Sequence, residues 1–150
     1  HYAGTEADWF YSILKSQSVS YDIIALSYYP RWHTKSLSEV KAALSRLSVA
    51  NDKDIVLAET AYPFTLGWND FTNNLVGESG HLVNNYPATP EGQKAFMLQL
   101  RSMLVEVPKG IGFAYWAPEW IAYRGEQATN GSAWENMALF DFDHKVLPAI

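Results

Sequence analysis

Glu59 is the carboxylate of this sequence best placed for chemistry. It closes the apolar run Ile55-Val-Leu-Ala58, and Thr60-Ala-Tyr62-Pro63 follows it. A short apolar run bounded by turn signals reads as a strand buried on both faces, as in a parallel sheet. A carboxylate at the end of such a strand is costly to bury without a purpose or a partner. In α/β folds the carboxyl ends of strands are where chemistry sits. The plain alternative is a Glu that leaves the strand and is solvated in the next loop. Two other apolar runs end in a similar way. Ile23-Ile-Ala-Leu26 leads to Ser27-Tyr28-Tyr29-Pro30, with His33 just beyond, and Ile111-Gly-Phe-Ala-Tyr-Trp116 leads to Pro118, Glu119 and Trp120.

A carboxylate flanked by a phenol and an indole suits glycoside cleavage. The carboxylate attacks or stabilises an oxocarbenium-like carbon, the phenol holds it ionised and oriented, and the indole gives the sugar ring an apolar floor. Such chemistry needs a second carboxyl, about 5–5.5 Å away in retaining enzymes and about 6.5–9.5 Å away in inverting ones. Glu119 is the other strand-end acid of the chain, and it lies past Pro118 in a loop. No Asn-Glu dipeptide follows an apolar run anywhere.

The elements that must position these residues alternate. A helix is expected from Thr5 to about Gln17, with Thr5 and Asp8 as a cap pair and Trp9, Phe10, Ile13 and Leu14 at helical spacing. A strand follows over Tyr21 to Tyr29, ended by Pro30, which lacks the donor a central strand needs. Ser36-x-x-Glu39 is a capping box that opens a helix to Asn51, with Leu37, Val40, Leu44 and Leu47 as its apolar stripe. The Glu59 strand, Asp54 to Thr60, comes next. A polar loop from Phe64 to Ala88 is long enough to be functional. Thr89-Pro90-Glu91 opens a third helix, with Phe96, Leu100, Leu104 and Val107 buried. The strand ending at Trp116 and a second long loop, Glu119 to Glu135, precede a short apolar tail read as strand-like or a turn. Helix, strand, helix, strand, helix, strand predicts a parallel sheet with crossover helices. Long outgoing loops favour a (β/α) barrel over a nucleotide-binding sheet, and no Gly-rich phosphate loop follows any strand. Three strands do not close an eight-stranded barrel, so the chain reads as part of something longer.

Bulk composition narrows the function. The net charge of -5 argues against a nucleic-acid partner. No apolar run is long enough to span a bilayer, and the absence of Cys excludes disulfides and thiolate metal sites. Aromatic residues reach 15%, with 6 Trp and 9 Tyr, many of them in expected loops where flat faces could stack on sugars.

Five stretches in order then carry a resemblance over nearly the whole chain: Ser27-Tyr-Tyr-Pro-Arg-Trp-His33, Glu59-Thr-Ala-Tyr-Pro-Phe-Thr65, Tyr86-Pro-Ala-Thr-Pro-Glu-Gly-Gln93, Tyr115-Trp116 with Trp120, and Trp134-Glu-Asn with Leu139-Phe-Asp-Phe142. Together they resemble the endo-β-1,4-galactanases of glycoside hydrolase family 53. The resemblance implies an α/β (β/α)8 TIM barrel of which this chain carries about the last three βα units. Residues 1–150 would then be the C-terminal part of a single catalytic domain, beginning at His1 near the end of the fifth strand. It implies retaining hydrolysis of β-1,4-galactan or type I arabinogalactan, a pectin side chain. Glu59 takes the nucleophile position, and the acid/base Glu of the fourth strand falls outside the chain.

The same resemblance places Trp116 at the cleaved sugar, Tyr28 or Tyr29 near the nucleophile, and His33 and Trp120 in the cleft. Tyr28 and Tyr29 alternate across a strand, so one is expected inward, here Tyr28, and the other under a helix. No cofactor is implied. Some family members hold calcium near the loop after strand seven, but Asn69-Asp-Phe-Thr-Asn-Asn74 offers a single acid, and hard cations want several oxygens, so no metal is expected. A secreted, periplasmic or cell-surface location follows from the size of the polymer. Trp9 and Trp32 are expected to pack in the core, His81 and His144 to lie on the surface, and Asp22 and Asp54 to sit at the bottom of the barrel. Uncovered sheet edges would favour self-association. Two alternatives stand beside the galactanase: a sugar-binding or structural piece without turnover, and a related glycosidase acting on mannan or xylan.

Overall fold

The computed structural model describes residues 3–150, so the place of His1 at a barrel mouth lies outside the described residues. The described elements alternate as α1 (Thr5–Ser16), β1 (Ile23–Ser27), α2 (Leu37–Asn51), β2 (Asp54–Thr60), α3 (Pro90–Val105) and β3 (Gly110–Tyr115), with 3₁₀ turns at Ser79–His81 and Glu135–Met137. The strands are parallel in the order β1-β2-β3, the order that successive crossovers through α2 and α3 produce.

Local chemistry accounts for the helix starts. Ser36 caps α2, its hydroxyl accepting the Glu39 N–H at 3.3 Å. The return half of the box is rerouted: Glu39 accepts from the Thr34 hydroxyl, and that hydroxyl accepts the Ser36 N–H at 3.1 Å. Thr89 caps α3 by accepting the Gly92 N–H at 3.0 Å. Of the cap pair expected on α1, the Thr5 side chain lies outside the described residues; Gly4 is the N-cap residue, and Asp8 pairs with Arg46 of α2 at 2.6 Å. Helix α1 buries Ala7 and Tyr11, so Trp9 and Ile13 point outward; Trp9 and Trp32, expected to pack, are both exposed.

The chain divides into two compact units. The first is His1–Thr60 with Gln99–Tyr115 and holds the sheet; the second is Ala61–Leu98 with Trp116–Ile150. In the first unit, Ile24 and Leu26 of β1 pair in register with Ile55 and Leu57 of β2, and all four are fully buried. Ala25 and Val56 turn to the opposite face. That alternation breaks at the strand ends. Leu26 pairs with Leu57, but Ser27 pairs with Glu59, so Ala58 is an extra residue in β2. The β2–β3 ladder shifts over the same stretch, between Leu57 and Thr60. A bulge of this kind re-aims the side chains that follow it. Without it Glu59 would share the face of Ile55 and Leu57.

In the second unit, buried amides hold the loops in place. Gln93 on α3 donates to the carbonyls of Tyr62 at 2.9 Å and Ala138 at 3.1 Å. Asn136 donates to Thr65 at 2.8 Å and Val76 at 2.7 Å. The Tyr62 ring stacks on Phe96 at 4.1 Å; its hydroxyl donates to the Tyr86 carbonyl at 2.7 Å and accepts the Val83 N–H at 3.0 Å. Burial pushes the Tyr62 phenol up to about 12. The long 64–88 loop is therefore ordered by a few buried donors rather than by regular structure. The tail closes with an antiparallel bridge between Phe140 and Val146 around a turn that Asp141 caps.

Candidate active site

The re-aimed Glu59 carboxylate is the centre of the first unit's polar end. Its Oε2 accepts two hydroxyls, from Tyr29 at 3.2 Å and from Ser27 at 3.2 Å. Ser27 and Tyr29 are two apart on one extended segment, so both side chains leave by the same face. Tyr29 is largely buried, and its phenol is pushed well above the ordinary range, first by burial and then by the Glu59 charge and hydrogen bond, with Tyr115 adding. It therefore keeps its proton and acts only as a donor here. Glu59 is partly exposed, so a carboxylate oriented by two hydroxyls faces accessible space.

Tyr28 takes the other side. It is fully buried, and its hydroxyl donates to the Thr34 carbonyl at 3.0 Å. This reverses the expected assignment: Tyr29, not Tyr28, is the one on the carboxylate, because Tyr29 shares the face of Ser27 and Tyr28 takes the opposite, buried side. His33 lies between the two rings, 6.3 Å from Tyr28 and 6.4 Å from Tyr29. Its Nδ1 accepts the Tyr29 N–H at 3.0 Å, and burial lowers its pKa. The imidazole is thus held neutral, its proton assigned to Nε2. His33 lines a cleft of about 430 Å³ with Trp32, Thr34, Glu39 and Arg46.

The second unit carries the indoles. Trp116, immediately after β3, is 38% exposed, and Trp120 is 40% exposed. Their ring centroids are 5.8 Å apart at 61°, and Trp134 extends the row, 6.0 Å from Trp120 at 83°. Exposed indoles of this kind offer faces to an apolar ring surface. Glu119, the second strand-end acid, is exposed in the same loop.

Three residues escaped the sequence reading. Ser27 has no signal of its own, because its partnership with Glu59 depends on the bulge. Trp134 was visible only as part of a motif. Glu135 is almost completely buried and accepts the Asn69 N–H at 2.7 Å; the charge of Asp70 adds to burial in raising its pKa. The loop after β2 therefore meets a second acid supplied from the 117–139 loop. Among the described residues, no group of three or more His, Asp or Glu is gathered as a metal would require, and no helix is long and apolar enough to cross a membrane.

Comparison with known proteins fits this arrangement. The sequence is 38% identical over 144 residues to an arabinogalactan endo-β-1,4-galactanase of Cellvibrio japonicus, covering 94% of this chain and 38% of that protein. An endo-β-1,4-galactanase of Bacillus subtilis is 28% identical, over 100% of this chain and 43% of its own length. Among solved structures, the GH53 catalytic domain of Ignisphaera aggregans superposes with a TM-score of 0.87 at 36% identity, covering 97% of this chain and 42% of that one. A structure of fungal β-1,4-galactanases gives 0.71 at 26% identity, with coverage of 98% and 42%. The chain thus spans about two-fifths of the length of these relatives. Its three parallel strands and crossover helices are part of a (β/α)8 TIM barrel. The profile of glycosyl hydrolase family 53 matches residues 2–150, and the chain belongs to that family.

Proposed function

We propose that this chain carries the nucleophile half of a retaining endo-β-1,4-galactanase, acting on galactan or type I arabinogalactan. Glu59 is the nucleophile. The observation that carries this is the pair of hydroxyls on one oxygen: Tyr29 and Ser27 both donate to Oε2, which leaves Oε1 for attack. Oε1 bonds to the anomeric carbon as the glycosidic oxygen leaves with a proton from a second carboxyl, and water then displaces Glu59 to restore the carboxylate. The hydroxyl pair also holds the charge in place without reorganisation as the bond forms. Trp116 and Trp120 supply faces for sugar rings, and His33, neutral and fixed through Nδ1, is a substrate-facing donor through Nε2. Tyr28 supports the segment by pinning the Thr34 carbonyl. No Asn-Glu dipeptide follows an apolar run in these 150 residues, so the acid/base is a Glu outside them. The named relatives support a galactan-type polymer as substrate.

Two further points belong to this proposal. Residues 1–150 form the C-terminal part of one catalytic domain, and by themselves bind polymer without cleaving it. The edges of β1 and β3 carry exposed Ile23 and Ile111, which favours self-association of the isolated chain. The test is Glu59→Gln in an active enzyme that contains this chain. Cleavage of galactan is expected to vanish while binding persists; retained turnover refutes the nucleophile assignment.

A further inference from the structure

Asn130-Gly131 is the one Asn-Gly pair of the sequence, and the proposed chemistry gives it no task. Such pairs mark turns, because glycine brings no side-chain clash to an unusual backbone conformation. The same bareness is a chemical weakness. Any other residue shields its own backbone nitrogen from the asparagine before it, and glycine has no side chain with which to do so. Asn130 is exposed in the 117–139 loop, so water reaches its amide.

The reaction this pair invites balances with water alone. The Gly131 nitrogen bonds to the side-chain carbonyl carbon of Asn130. Its proton passes through solvent to the departing amine, which leaves as ammonia, and a cyclic imide remains. Water opens the imide at one carbonyl to give aspartate or at the other to give isoaspartate.

The structure holds the attacking atom back. Gly131 N–H donates to the Thr72 hydroxyl at 2.6 Å, short for a backbone donor. Thr72 is buried and is itself fixed: its N–H donates to Asp70 Oδ1 at 2.6 Å, and the Phe71 N–H beside it donates to the Ala128 carbonyl at 2.8 Å. Asp70 also closes one side of Gly131, where a Cβ would lie 2.2 Å from Oδ2. To reach Asn130 the nitrogen must leave Thr72 and rotate in a seat with little room. The cost of a mistake is local too. Isoaspartate routes the chain through its side-chain carbon, so the backbone before Gly131 gains an atom. Gly131 then loses its seat, and Ser132, which donates to the Trp120 carbonyl at 2.8 Å, is the next residue.

We propose that Asn130 is a site of spontaneous deamidation, and that the Thr72 hydroxyl sets its rate by holding the Gly131 nitrogen. The modification needs only water and does not depend on the galactanase reading above.

The test is to incubate the folded chain at mildly alkaline pH and follow every asparagine by peptide mass spectrometry, with isoaspartate identified by enzymatic methylation. Asn130 is expected to convert ahead of Asn51, Asn84 and all others, and converted molecules should melt below unconverted ones. Thr72→Val keeps the shape of the side chain without its acceptor and should convert at least fivefold faster. Thr72→Ser restores a hydroxyl and should stay within twofold of the parent. In urea all three should convert at one rate, because the bond is gone. Should Thr72→Val fail to fold, hydrogen exchange takes its place: the Gly131 amide of the folded parent should be protected, and the parent should convert at least tenfold more slowly folded than in urea. Another asparagine converting first overturns the site. Equal rates in the folded parent and Thr72→Val, or an unprotected Gly131 amide, overturn the role of Thr72.

Discussion

Ser27 Oγ lies 3.2 Å from Glu59 Oε2 because β2 carries one residue more than β1 needs. The extra residue, Ala58, moves Glu59 from the face of Ile55 and Leu57 to that of Ser27. Sequence, sheet register and candidate chemistry meet at this one irregularity. Deleting Ala58 takes out the bulge but sets the carboxylate directly after Leu57, so plain alternation keeps it on the face of Ser27. In an active enzyme containing this chain, galactan cleavage is therefore expected to survive the deletion. Loss of cleavage at an unchanged melting temperature would show that the bulge itself, and not only the face it selects, aims Glu59.

The two hydroxyls on Oε2 are not equal. Tyr29 is nearly buried and keeps its proton, whereas Ser27 is half-exposed and rotates more freely. Hydrogen bonds to a charged group contribute about 1.5–3 kcal/mol, and a factor of ten in rate is about 1.4 kcal/mol. Tyr29→Phe should therefore lower kcat about ten- to a hundredfold with little change in KM, and Ser27→Ala should lower it less. Steady-state kinetics on galactan decides this; an effect on KM alone would make both residues binders of substrate rather than supports of the nucleophile.

Gln93 and Asn136 each donate twice, through the side-chain amide, to backbone carbonyls that lie outside the helices and strands. Leu at either position leaves two carbonyls without these donors, at about 1–3 kcal/mol each if they stay dry. The melting temperature should fall by roughly 2–4 °C per kcal/mol for a chain of this size. Thermal unfolding of Gln93→Leu and Asn136→Leu checks this, and a shift below a degree in both would mean that water replaces the amides.

Glu135 gives a pH dependence with a definite sign. Burial raises its pKa in the folded chain, and the Asp70 charge adds to that, against the lowering hydrogen bonds from the Asn69 and Asp70 backbone and the Asn74 side chain. The folded state thus holds the proton more tightly than the unfolded chain. The associated stability is fully present below the ordinary carboxyl value of about 4.3 and is lost as the pH rises through the raised value. Glu135→Gln, which cannot ionise, should be more stable than the parent at neutral pH, and the difference should shrink as the pH falls toward that ordinary value. Melting curves of both proteins across that range test it; a difference independent of pH contradicts it.

Much of the framework could be read from residue patterns. The alternation of helices and strands, the Ser36 and Thr89 caps and the buried stripe Phe96, Leu100, Leu104 and Val107 follow from local chemistry, and the structure has them all. What could not be read depends on contacts between distant segments. Asp8 looked like a cap, yet a guanidinium 38 residues away holds it. Trp9 is expected in the core by its size, yet Ala7 and Tyr11 are the α1 residues that turn there and Trp9 is exposed. Ser27 is an ordinary strand-end residue until a register shift gives it a carboxylate. Glu135 looks like a helix-turn acid, and only the 64–88 loop folding over it makes it buried. Periodicity reports which face a residue shares with its neighbours; it does not report a bulge.

The most direct measurement is to trap the glycosyl-enzyme. A 2-deoxy-2-fluoro-galactobioside with a dinitrophenyl leaving group reacts without help from the acid/base, so it isolates the nucleophile. After incubation with an active enzyme containing this chain, peptide mass spectrometry should find the sugar on Glu59, and Glu59→Gln should remain unlabelled. A sugar attached to any other carboxylate, or labelling that survives Glu59→Gln, would contradict the account.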